Sequence, residues 1–148
     1  MSSTGLAATV ALGAGLAGAM QVAVQGRLGD RVGSLEAMVT ATVIGGALAI
    51  ALLLVVRRSL AGVGEAVEGP KWQLLGGVFG IAIVFGITFA APRIGVVATT
   101  AFLIAAQLSL AALIDRFGWF GVERVAVTWP RVVGIVFLAV GAALVLRR

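Results

Sequence analysis

The chain contains no cysteine, no histidine and no tyrosine, and these absences remove whole classes of chemistry before any motif is considered. Without Cys there is no disulfide and no thiolate nucleophile, and the redox compartment leaves no mark on the sequence. Without His or Cys the common zinc and haem ligand sets are missing, so neither a metal nor a cofactor is expected. No convincing general base and no carboxylate pair at usable spacing is present, which argues against an enzyme. The glycine-rich stretch Gly76-Gly77-Val78-Phe79-Gly80 lacks the Lys-Ser/Thr that completes a phosphate loop, and it lies inside an apolar run, where close helix packing explains it better. Charge is scarce too: 11% of residues are charged, where soluble domains carry roughly 25%.

Apolar side chains fill the space. They make up 61% of the 148 residues, and the mean hydropathy is +1.15. A water-soluble fold of this length could not hide that surface, so the expected fold class is all-α: a polytopic transmembrane bundle of about five helices in a single domain, residues 1–148. The formal charge is +5, yet the 11 Lys and Arg stand singly or in pairs at the ends of apolar runs. That is the placement of interfacial anchors, and it makes membrane lipid, not nucleic acid, the expected partner.

The runs predict spans at about 5–26, 35–56, 72–91, 94–114 and 130–146. No basic residue precedes the first, whereas a secretory signal has a charged start and a shorter core, so Thr4 to Gln25 reads as a retained span. Arg27 to Ser34 reads as a tight hairpin, and Ser59 to Lys71 as a loop. The run from Trp72 to Ile114 is too long for one crossing of a ~30 Å core. It is broken at Ala91-Pro92-Arg93-Ile94-Gly95, with Pro92 suited to the first turn of a new helix. Asp115 to Gly121 reads as an aromatic interfacial loop, and Arg147-Arg148 close the last span. Long apolar runs point to the cell inner (cytoplasmic) membrane, because outer-membrane barrels show short alternating strands.

Small residues recur every four positions, as in Ala7, Ala11, Gly15, Ala19 and Ala23 and again in Ala37, Ala41, Gly45 and Ala49. Such stripes let backbones approach where packing replaces the hydrophobic effect, within one subunit or between subunits. The charges barely choose an orientation. One side would carry Arg57, Arg58, Lys71, Arg116, Arg124 and Arg131, the other Arg27, Arg31, Arg93, Arg147 and Arg148. Two explanations stay open: another feature fixes a single topology, or copies insert both ways and pair antiparallel, supplying the inverted repeat that many transporters hold in one chain.

All six carboxylates fall near span ends or in loops. Glu36 and Asp115 are the only candidates for proton or sodium coupling, each with a plainer interfacial reading: Glu36 in a first helical turn, Asp115 beside Arg116 and Arg93. Gln21 and Gln25 lie one turn apart on one helix face, and Gln107 lies past the middle of the fourth span. These amides, with Thr88, Thr99 and Thr100, are the candidate contacts for a small polar solute, with helix-to-helix hydrogen bonding as the alternative.

The motifs Gln21-Val22-Ala23-Val24-Gln25-Gly26-Arg27-Leu28-Gly29, Gly76-Gly77 with Gly80, Ala91 to Gly95, Gln107, Asp115-Arg116-Phe117-Gly118 with Gly121, and Arg131 with Gly134 together resemble the YdcZ-like family of small five-span proteins in the drug/metabolite transporter superfamily. The family pattern has Asn where Gln25 stands and Gly where Ala106 precedes Gln107. The resemblance implies a transport-type membrane protein whose relatives act as antiparallel pairs or as fused duplicated halves. The reading is therefore a small transporter, half of an antiparallel dual-topology homodimer, that moves an unidentified solute by alternating access; a paralogous partner in place of the second copy stays open. The alternative is a non-transporting accessory subunit that docks on a larger membrane complex.

Overall fold

The computed structural model describes residues 3–146, so the expected closing pair Arg147-Arg148 lies outside the described residues. Within them the chain is helical, with no strand: α1 Ser3–Val32, α2 Ser34–Arg57, α3 Ala61–Glu68, α4 Leu75–Ile94, α5 Val96–Phe117 and α6 Trp129–Val145, plus 3-10 turns at Lys71–Leu74 and Trp119–Gly121. It divides into two compact units between Arg93 and Ile94. By length and composition, α1, α2, α4 and α5 can each cross a membrane; α6 is apolar but has 17 residues, about 26 Å of helix. The all-α polytopic class read from composition is what the structure shows.

Bulky side chains point outward. Leu12 is 73% exposed, Leu16 72% and Val55 76%, while the buried apolar set is Val22, Ala37, Ile87, Ala91, Ala98, Ala105 and Ala142. Five of these seven are alanines. Large residues outside and small ones inside are what lipid solvation produces, because lipid accepts a leucine as readily as another leucine does and only close backbone approach distinguishes the interior.

In the first unit, α1 and α2 form a hairpin whose corner is the single residue Gly33, at φ +101° and ψ 151°. The expected eight-residue hairpin is shorter than predicted: α1 continues through Arg27, Asp30 and Arg31 to Val32. At 30 residues it is about 45 Å long, so these exposed charges lie on a helical extension that need not sit in hydrocarbon. The segment read as a loop, Ser59 to Lys71, contains α3, and Lys71 Nζ donates to the Val67 carbonyl.

Proline 92 does not start a helix. It sits in the last turn of α4, and Gly95, at φ +84° and ψ 163°, separates α4 from α5 in the chain. The expectation failed because proline in a helix leaves the carbonyl four residues back without a donor, and a neighbouring helix can supply one. That carbonyl is Thr88 O, and Ser34 Oγ donates to it at 3.4 Å. In return Thr88 Oγ1 lies 3.1 Å from Ser34 O, sharing its proton with Phe85 O at 2.9 Å. The third side of this clamp is α1: a Cβ on Gly29 would lie 2.6 Å from Thr88 O, and one on Gly26 would lie 2.7 Å from the Ala91 Cβ. Both glycines are therefore required by close approach.

The local backbone at Gly33 and at Gly95 is alike. Arg31-Val32-Gly33 and Arg93-Ile94-Gly95 share their residue pattern and their mirror-β glycine conformation, accessible essentially to glycine alone. Each glycine carbonyl accepts from the amide four residues on, Ala37 N at 3.0 Å and Thr99 N at 3.1 Å. Residues seven and four before and four after each of these glycines are buried: Gly26, Gly29 and Ala37 around Gly33, and Thr88, Ala91 and Thr99 around Gly95. In the second unit α5 ends at Gly118 in the left-handed conformation, and Val125 N reaches back to the Asp115 carbonyl at 2.9 Å.

If Ser34 replaces the donor that Pro92 removes, Ser34→Ala should destabilise the protein in detergent by about 1–3 kcal/mol, the cost of an unpaired buried carbonyl. Adding Pro92→Ala should recover much of that loss by restoring the N–H to Thr88 O. A double-mutant cycle of thermal melts reads the coupling, and simple additivity would break the assignment.

Candidate functional site

In the first unit, Gln21 and Gln25 follow one another along α1 beside its packed residues Val22, Gly26 and Gly29. Gln21 is exposed, whereas Gln25 is half-buried and its Oε1 has no hydrogen-bond partner. Thr88 is fully buried on α4 with its hydroxyl committed to the clamp. A crevice of about 440 Å³ opens at the same end of the unit, lined by Gly29, Asp30, Gly33, Ser34, Pro92 and Arg93. Glu36 stands in the first turn of α2, exposed, with its carboxylate folded against Gly33. That position sets a negative charge against the positive end of the helix. Arg93 donates from Nη1 to the Phe89 carbonyl and lies 3.7 Å above the Phe89 ring.

In the second unit, Thr99, Thr100 and Gln107 lie along α5. Thr99 is 3% exposed and its hydroxyl donates to Gly95 O at 2.8 Å. Thr100 is half-buried, and its Oγ1, itself out of solvent reach, has no partner. Gln107, two turns further along the Thr100 face, is exposed. Asp115 is paired with Arg131 of α6, Nη1 to Oδ2 at 3.3 Å. The partner expected from sequence proximity, Arg116, instead lies 6.0 Å from the centre of the Phe117 ring.

Most hydroxyls in the helices serve their own backbone. Thr9, Thr40, Thr42, Thr99 and Ser109 each donate to the carbonyl four residues back, a satisfied state that asks for nothing from a ligand. Gln25 Oε1 and Thr100 Oγ1 are the two buried side-chain polar atoms without a partner among the described residues. A buried polar group left unpaired is costly, more so in low dielectric, and where it persists it calls for an explanation outside the fold. Sequence reasoning missed Ser34, Gly26 and Gly29. The signal for Ser34 was present in the four-residue offset from Pro92 back to Thr88.

A family model described as "Putative inner membrane exporter, YdcZ" matches residues 6–144. The chain belongs to the YdcZ family. Among curated proteins it is similar to the inner membrane protein YdcZ of Escherichia coli (strain K12), 34% identical over 115 residues, which cover 77% of this chain and 76% of that protein. No solved structure matches it. Membership in the YdcZ family makes the chain a multi-pass protein of the inner membrane and a membrane transporter of the drug/metabolite type. The exporter description of the YdcZ family favours transport over an accessory role, and a transport role is a non-enzymatic one.

The hydrogen-bond assignments predict opposite effects for two threonines. Thr88→Val should lower stability by about 1–2 kcal/mol, because it empties a buried clamp. Thr100→Val should leave the melting temperature unchanged or slightly raised, because no bond is lost. Melts of the purified variants in one detergent check this, and an equal loss in both would remove Thr100 from the unpaired class.

Proposed function

We propose that this chain works as an antiparallel homodimer that carries a small solute across the inner membrane by alternating access, with Gln25 and Thr100 as hydrogen-bonding contacts to the solute. The observation that carries the reading is the pair of unpartnered buried oxygens, Gln25 Oε1 and Thr100 Oγ1, one on each unit. A transporter must leave such groups unspent, since a group satisfied by the fold has nothing to exchange for the hydration that a solute gives up. Gln21 and Gln107, exposed on the same faces as Gln25 and Thr100, extend the polar surface. Thr88 and Thr99 contribute by holding their helices, through the bonds to Ser34, Phe85 and Gly95.

Dimerisation is supported by helix surface that one chain leaves bare. A Cβ on Gly13, Gly15 or Gly18 of α1, on Gly45 or Gly46 of α2, or on Gly76, Gly77 or Gly80 of α4 would meet nothing within 4 Å. Glycine exposed to lipid lacks a packing reason, and a second copy approaching these faces would provide one. The near-even split of basic residues between the two sides supports opposite orientations for the two copies.

Two experiments test the proposal. In proteoliposomes screened with a panel of radiolabelled small solutes, any solute moved by the wild type should move at least about tenfold slower in Gln25→Leu and in Thr100→Val, which corresponds to one lost hydrogen bond to a charged or strongly polar group; wild-type rates in both variants would remove these residues from the path. The absence of native cysteine makes topology clean to read. A Gly62→Cys variant should be labelled by a membrane-impermeant maleimide partly in intact spheroplasts and completely only after permeabilisation. Labelling from one side alone would end the dual-topology reading.

A further inference from the structure

The second unit holds a groove that the transport reading does not use. It lies between α5 and α6, has a volume of about 340 Å³, and carries its two charges at one end. Leu108 and Leu138 line it at the far end, each seven residues from the charge on its own helix, Asp115 on α5 and Arg131 on α6, so the groove runs about two helical turns, near 10 Å, below its mouth. Ala111 and Gly134 keep it wide midway. The chain next to its two charged residues carries exposed aromatics: Phe117 stacked on Trp119 at 5.4 Å and Phe120 after Asp115, and Trp129, which is 75% exposed, before Arg131. Aromatic rings of this kind settle at the headgroup level of a bilayer, which places the charged mouth among headgroups and the apolar length among acyl chains.

The mouth is built for an anion. Arg131 meets Asp115 through one nitrogen at 3.3 Å, and both side chains are partly exposed, at 47% and 34%. Among the described residues the Arg131 side chain has no other partner, so most of its guanidinium donors are open. Arg124 lies close by in the chain's return path, its stem 2.7 Å from where a Cβ on Gly118 would be. With Arg116 the cations at this end number three, against Asp115 and Glu123.

We propose that the α5–α6 groove binds one anionic phospholipid, with an acyl chain laid along Ala111 and Gly134 towards Leu108 and Leu138 and the headgroup phosphate on Arg131, in competition with Asp115. The groove shape selects a chain with a charged end, and the arginine selects the phosphodiester. The proposal is independent of which solute is carried and of whether Gln25 and Thr100 contact it.

The test uses the full chain with Trp72→Phe and Trp119→Phe, so that Trp129 alone reports on the mouth. It is reconstituted in phosphatidylcholine vesicles containing increasing amounts of brominated phosphatidylglycerol or brominated phosphatidylcholine. Half-maximal quenching of Trp129 should need about fivefold less of the anionic lipid, the contribution of one basic residue at an anionic surface. Arg131→Gln should erase that preference, Asp115→Asn should enlarge it by freeing the guanidinium, and Gly134→Leu should weaken quenching by both lipids. Arg57→Gln, a cation elsewhere on the protein, should leave the preference intact. Equal quenching by the two lipids, a preference that survives Arg131→Gln, or a loss as large in Arg57→Gln would each overturn the proposal. So would displacement by millimolar inorganic phosphate, which would mark a site for a free anion. Should Arg131→Gln fail to reconstitute, the sign of the Asp115→Asn effect decides: no gain overturns the assignment.

Discussion

The first unit depends on one carbonyl. Pro92 removes the amide that would have bonded Thr88 O, and Thr88 is fully buried, where water does not replace it. The Ser34 hydroxyl fills the vacancy from the first residue of α2. For Ser34 to stand there, α1 must hand over to α2 in a single residue, which calls for the backbone conformation of Gly33. For α1 to pass alongside, Gly29 must have no side chain, since a Cβ there would lie 2.6 Å from the same carbonyl. Proline, serine and two glycines far apart in the chain are thus conditions of one hydrogen bond, and they bring three helices into register where apolar contact alone would allow sliding.

How much of this was legible in the residues varies with the kind of interaction. The apolar runs announce helices in lipid because their length and lack of charge leave no other way to satisfy the backbone. The run from Trp72 to Ile114 had to break near Pro92, and it does, at Gly95. Pro92 fell on the wrong side of the break because a proline fits either the first turn of a helix or, given an outside donor, a later one, and the donor lies 58 positions earlier in the chain. Arg27, Asp30 and Arg31 suggested a turn since charges seldom sit in hydrocarbon; they belong instead to a helix long enough to leave it. For the threonines, composition is silent on the decisive question. Thr99 and Thr100 are neighbours of the same type, yet one hydroxyl closes on Gly95 O and the other closes on nothing.

Functional capacity in such a protein follows from what its fold leaves unfinished. A soluble domain hides its apolar side chains and can afford to satisfy every polar one; here the surface is apolar by design and the interior is lined by alanine, glycine and threonine. In the transport mechanism we propose, specificity rests on very few atoms, the Gln25 amide oxygen and the Thr100 hydroxyl, both buried and without a partner among the described residues. Membership in a family of inner membrane exporters agrees with that economy: weak, exchangeable contacts let a cargo go as well as hold it.

The helices also disagree in length, and that has a consequence for the surrounding bilayer. α1 measures 30 residues and α6 measures 17, so against a hydrocarbon slab of ~30 Å the first overshoots by about 15 Å while the last falls about 4 Å short. The long helix can lean or emerge at little cost, but a short one can cross only where the lipid thins around it or flanking side chains stretch to the interface. Where α6 crosses as a fifth span, acyl-chain length thereby becomes a thermodynamic variable, with shorter-chain lipids relieving the mismatch at α6.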